Sequence, residues 1–186
     1  MSTPRPFDPV KLIVSIFGLD RGRLNETIKF LAGIYGEPDL VSRVIPFDQT
    51  NYYYREMGRP LFRRVVSFQG LIQFEELPEV KLITNEYEQA TAAETRRRIN
   101  IDPGVISRER LVLATGKNFT HRIPLTKGIY ADLTLLYTQG RYQPLPWTYP
   151  DYASEELLTA FHRIRRTYIY QLKEAESRTT AGKDGS

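Results

Sequence analysis

The chain has 186 residues, with 26 lysines and arginines against 22 aspartates and glutamates, and this length favours one compact domain over two. A 41% apolar and 12% aromatic content can build a substantial core, which excludes wholesale disorder. No apolar run approaches the roughly 20 residues of a transmembrane helix, and the absence of cysteine excludes disulfides, thiolate metal centres and cysteine nucleophiles. Met1–Pro9 has no apolar stretch of the kind a secretory leader needs, so a cytoplasmic location is expected.

Val10 to Phe17 is rich in β-formers and ends at Gly18, which predicts a strand. Leu24, Ile28, Leu31 and Tyr35 then recur at helical spacing until Gly36 and Pro38 close the helix. Leu40 to Phe47 and Leu61 to Phe68 predict two further strands, separated by the aromatic segment Asp48 to Pro60. That segment is about twice a typical connection, the length of a functional loop. Pro78 is tolerated in a first helical turn, and Leu77, Val80, Ile83 and Tyr87 predict a second helix reaching about Ala92. Arg97 to Ile101 reads as a strand stopped by Asp102-Pro103-Gly104, a strong turn combination.

The pattern of Arg108 to Thr115 leaves its state open. Thr120 to Leu125 and Ile129 to Tyr137 predict strands joined by Thr126-Lys127-Gly128, and Thr138-Gln139-Gly140 predicts another hairpin turn. Ser154 caps a last helix whose stripe is Leu157, Phe161, Ile164, Tyr168 and Leu172. Residues 1–176 thus form one expected domain, and 177–186 are expected to be a disordered polar tail. The expected fold class is α+β: a ferredoxin-like βαββαβ half, extended by antiparallel strands and closed by a C-terminal helix.

Charge is unevenly spread. Residues 96–127 hold eight basic side chains against Asp102 and Glu109, whereas residues 75–94 hold six glutamates and one lysine. A basic stretch beside an acidic one makes either an anion-facing surface or a solvated face paired internally.

Four strings carry a family resemblance: PFDQTNYYYREMG from Pro46, NIDPG from Asn100, HRIPLTKGIYAD from His121 and QPLPWTYPDY from Gln143. Together they resemble an uncharacterised prokaryotic family, the domain of unknown function four-four-one-six, over about Val10 to Leu172. One departure is Asp132, where the resemblance leads one to expect the longer glutamate. The resemblance implies a single-domain prokaryotic protein and no particular reaction.

Several nucleotide and phosphoester signatures are absent. Ala114-Thr115-Gly116-Lys117 lacks the first glycine of a phosphate-binding loop, and Asn118 follows the lysine. Lys127-Gly128-Ile129-Tyr130 lacks the first stacking aromatic of an RNA-recognition strand. His121 and His162 lack the paired His-x-Ser/Thr context of two-histidine phosphoesterases, and no Gly-x-Ser-x-Gly elbow occurs.

What remains is an inventory of candidates. Asn100 and Asp102 alternate, so their side chains share a direction. The pair could hold Mg²⁺ or a ribose hydroxyl, or else serve a turn. Lys117, Arg122 and Lys127 offer donors for phosphate or carboxylate, and His121 adds an imidazole for acid–base work beside Asp102, or is a satisfied structural histidine. Tyr52 in one aromatic loop, and Trp147 with Asp151 in a second, suit a binding cleft or a partner surface.

Two functions follow as expectations. The first is a small-anion, phosphate or nucleotide binding domain, with or without catalysis. The second is a non-catalytic interaction module that uses its tyrosines and Trp147, with homo-oligomerisation open. Nucleic acid is the poorer partner, because a net charge of +4 with one tryptophan is a thin footprint. Convergence of Asn100, Asp102, His121, Arg122 and Lys127 on one concave surface would favour the first.

Overall fold

The computed structural model describes residues 3–93 and 96–181. Its elements follow the order β1 (Val10–Gly18), α1 (Arg21–Tyr35), β2 (Pro38–Val41), β3 (Ile45–Pro46), α2 (Tyr54–Met57), β4 (Phe62–Ile72), α3 (Leu77–Ala90) and β5 (Ile99–Ile106). Then come β6 (Arg110–Thr115), β7 (Arg122–Pro124), β8 (Tyr130–Thr138), β9 (Arg141–Pro144) and α4 (Glu155–Ala181). The fold is α+β, an antiparallel sheet in the order β2-β4-β1-β5-β6-β8-β7, with β3 also on β4 and β9 also on β8. Among the described residues no helix is long and apolar enough to cross a membrane.

Alternation along β1 sets the two layers. Leu12, Val14 and Ile16 face α1, burying with Leu24, Ile28 and Leu31. Ile13 faces the opposite way into a cluster with Phe161, Ile164 and Tyr168 of α4. Each fully buried large apolar side chain contributes about 1.5–3 kcal/mol, so the α4 stripe alone can anchor that helix. Asp20 caps α1 by accepting from the Gly22 N–H at 2.7 Å, and Gly36 at φ 86° ends it.

Several sequence expectations need correction. The expected turn at Asp102-Pro103-Gly104 is the middle of β5, paired with β1 at Ser15↔Asp102, Val14↔Pro103 and Ile13↔Gly104. Pro103 is tolerated because β6 pairs only with Gly104–Ile106, so the stretch from Ile99 to Pro103 has a strand partner on one side alone. Gly104 serves close approach: a Cβ there would lie 2.5 Å from the Val112 carbonyl oxygen.

The expected strand Leu40 to Phe47 is two short pieces, β2 and β3, and the long loop contains α2. The undecided segment is β6, and Thr120 to Leu125 contracts to β7. The turn Gln139-Gly140 has φ 52° and 78°, the left-handed pair that a two-residue hairpin requires. Residues 177–181, expected in a disordered tail, continue α4, since no glycine interrupts the helix before Gly182. Residues 182–186 of that tail lie outside the described residues.

Candidate functional site

Pleat parity gathers the site. In the register of the sheet, Phe17 pairs with Asn100 and with Arg63, and Ser15 pairs with Asp102. Further across, Gly104 pairs with Leu113, Leu113 with Asp132, and Asp132 with Arg122. Since opposed residues project to the same face, Arg63, Asn100, Asp102, Asp132 and Arg122 share the α4 side of the sheet. The apolar stripe of α4 covers Ile13, Val65 and Leu135 on that side, and the polar side chains lie beyond it.

A cleft opens there because β5 and β6 part. Beyond Gly104↔Leu113 the two strands have no ladder, and the backbone of Ile101 finds its partners in α3. Lys81 Nζ donates to the Ile101 carbonyl at 2.8 Å, and Glu88 Oε1 accepts from the Ile101 N–H at 2.6 Å. Two buried side chains thus replace two missing ladder bonds, as burial of a backbone polar group demands. The resulting cavity has a volume of about 650 Å³ and is bordered by Tyr52, Tyr53, Tyr149 and Tyr152 from the two aromatic segments.

Five cations and four carboxylates line the cleft. Arg63 pairs with Asp151, and Arg122 Nε donates to Asp132 at 2.8 Å. Arg97 grips Glu56 with Nε at 2.7 Å and Nη2 at 2.8 Å, which holds the Glu56 carboxyl below its usual range. Its Nη1 donates to Asn100 Oδ1 at 2.7 Å, and Asn100 Nδ2 donates to Asp102 Oδ2 at 2.9 Å. Lys81 stands 3.9 Å from Asp102 Oδ1. Lys117 alone among these cations has no carboxylate partner among the described residues; its Nζ lies 5.5 Å from the centre of the Tyr52 ring, at the mouth.

Burial raises the Glu88 carboxyl above its ordinary range, against the pull of Lys81 and the Ile101 N–H. A carboxyl whose pKa rises on folding contributes stability that is full below its unfolded value of about 4.3 and is lost as pH climbs through the raised folded value. Glu88→Gln keeps an oxygen for the Ile101 N–H and removes this loss. Urea denaturation from about pH 4 to about pH 8 should show the wild type losing ground to the variant with rising pH, then a constant gap. Parallel curves throughout would mean that Glu88 does not titrate abnormally.

Of the candidates named from sequence, Asn100, Asp102, Lys117, Arg122, Tyr52 and Asp151 line the cleft, and His121, Lys127 and Trp147 do not. His121 sits behind Asp132, with Nε2 3.5 Å from Oδ2, and stacks on Trp147 at 4.8 Å between ring centres. It is therefore not brought together with Asp102. Trp147 donates from Nε1 to the Leu133 carbonyl at 2.8 Å, fastening the last connection to β8. Lys127 belongs to the β7–β8 turn and pairs with Glu79.

Arg122 lines the cleft as a nearly buried cation, its side chain 9% exposed and ion-paired with Asp132. At Asp102 the neighbouring groups are an amide and an ammonium, and among the described residues no group of three metal-ligating side chains occurs. This donor set does not fit Mg²⁺, which is held through carboxylate oxygens.

Sequence reasoning missed Arg63, Lys81, Glu88 and Arg97. Lys81 and Glu88 are one heptad apart and so share a helix face, a detectable signal, but only β5 shows why that face is buried.

A sequence-family model described as Domain of unknown function (DUF4416) matches residues 8–168. The match covers most of the chain, which belongs to that family. No curated protein and no solved structure gives a significant match.

Proposed function

We propose that this member of the DUF4416 family binds a small phosphorylated ligand of nucleotide size in the cleft between β5 and β6. The carrying observation is Lys117: a cation at the mouth of a concave, tyrosine-bordered cavity that forms no ion pair with a carboxylate among the described residues, its one acidic influence being Glu56, which Arg97 already holds. Each other lining cation has an acidic neighbour, so an anion entering here meets its strongest free attraction at Lys117. Arg63 adds a buried Nε–H that has no hydrogen-bond partner among the described residues, a donor suited to a ligand oxygen.

The volume lies within the range of about 300–1,000 Å³ typical of small-molecule sites. Tyr52 offers a ring for stacking, and the Asn100–Asp102 pair offers an acceptor for sugar hydroxyls or a base edge. Binding is the reading supported; a reaction through Asp102 and His121 is not, since Asp102 lines the cleft and His121 does not.

The order β2-β4-β1-β5, with α1 and α3 packed on one face, supports reading this half of the sheet as ferredoxin-like. Strands β6 to β9 extend it, and the cleft falls at the junction of core and extension.

Calorimetric titration of adenosine 5′-monophosphate into the wild type and Lys117→Ala tests the assignment. Lys117 is exposed and has no ion pair among the described residues to lose, so the variant should keep its melting temperature and bind roughly tenfold or more weakly. Equal affinities would remove Lys117, and with it the reading, from the cleft.

A further inference from the structure

Behind Arg97 lies a second concavity of about 540 Å³, walled by Arg23 of α1, Arg55 of α2, and Arg96, Arg97 and Arg98 before β5. Its carboxylates are Asp20 and Glu56, and both are engaged. Asp20 caps the Gly22 N–H, and Glu56 is held by two nitrogens of Arg97. Arg23, Arg55, Arg96 and Arg98 have no acidic partner among the described residues.

These arginines come from three separate chain segments, so their convergence is a product of the fold. It is held by close packing around two glycines: a Cβ on Gly18 would lie 2.7 Å from the backbone carbonyl oxygen of Arg98, and one on Gly58 would lie 2.9 Å from the Leu19 side chain at Cδ1. Five arginines against two engaged carboxylates leave a net positive hollow whose like charges repel one another, and a multiply charged anion relieves that repulsion in proportion to its own charge. Guanidinium groups moreover match phosphate oxygens in forked geometry, where a carboxylate ligand would supply fewer acceptors.

We infer that this groove is a second anion site, built for a compact phosphate chain such as a tri- or polyphosphate. It is a single walled hollow, which fits a short chain of phosphates better than an extended nucleic-acid strand. The site is separate from the proposed nucleotide cleft: Arg97 belongs to both linings, whereas Arg55 and Arg98 belong to this one alone.

The test is calorimetric titration of inorganic tripolyphosphate into wild type, Arg55→Gln/Arg98→Gln and Lys117→Ala, each at low and high salt. Wild type and Lys117→Ala should bind alike, and the double variant should bind roughly tenfold or more weakly, with all affinities falling as salt screens the charges. No binding by wild type, or undiminished binding by the double variant, would overturn the inference. A short single-stranded oligonucleotide that competes as strongly as tripolyphosphate through the same two arginines would also overturn it, since the occupant would then be a strand. Because neither Arg55 nor Arg98 lines the first cleft, failure here leaves the adenosine monophosphate experiment unaffected, and the reverse holds.

Discussion

Arg63→Met should lower the unfolding free energy by about 3–5 kcal/mol, the cost of breaking a buried ion pair on one side. Arg63 is 3% exposed, pairs with Asp151, and lies 4.3 Å from the Phe47 ring centre and 5.1 Å from that of Tyr152. Methionine fills much of the same space among those rings but leaves the Asp151 carboxylate, 12% exposed, with no cation in its place. Asp151→Asn in the same background should recover part of the loss, because the stranded charge is then gone. Chemical denaturation of the two single variants and the double variant gives the coupling directly. A loss below about 1 kcal/mol for Arg63→Met would mean that water already solvates Asp151, as in a surface pair.

Gly104→Val should be the second most damaging substitution, at about 1–3 kcal/mol or more, the usual range for forcing extra atoms into a packed interior. Even a single Cβ at Gly104 meets the Val112 carbonyl oxygen at 2.5 Å and Leu113 Cδ2 at 2.7 Å, and the first of these is backbone and cannot swing aside. Relief requires β6 to move away from β5 at the last rung before the cleft, so the parting of the strands should spread toward Ile106. Hydrogen exchange should report this as faster exchange at the β5–β6 rungs, with the β1–β4 rungs unchanged. A variant with wild-type stability and exchange would show that β6 does not approach Gly104 so closely.

Gly104 also shows why some of the fold was legible in the sequence and some was not. Helices α1, α3 and α4 and strands β1 and β8 announce themselves through local period, since each buries a continuous stripe or face. Asp102-Pro103-Gly104 has the composition of a turn, and local chemistry alone reads it so. Tertiary context reverses the meaning: proline is tolerated where one neighbour is missing, and glycine is required where the other comes too close.

The site divides in the same way. Asn100 and Asp102 follow from alternation, and Tyr52 and Asp151 from aromatic density in long connections. Arg122 and Lys127 look equivalent in sequence, yet strand pairing sends one into the cleft and leaves the other at a turn with Glu79. Arg63 gives no local signal because it sits in Phe62–Ile72 beside a second arginine. Only its register with Phe17 turns it inward.

The proposal that the parted strands hold a phosphate ligand is tested by a thermal-shift screen of the wild-type protein. The panel is inorganic phosphate, nucleoside monophosphates and the corresponding unphosphorylated nucleosides, compared with Lys117→Ala. At one hundred times its dissociation constant a binder adds about 2.7 kcal/mol. The melting temperature should rise with at least one nucleoside monophosphate, not with the matching nucleoside, and rise less in Lys117→Ala. No shift with any phosphorylated compound, or equal shifts with and without the phosphate, would contradict the proposal.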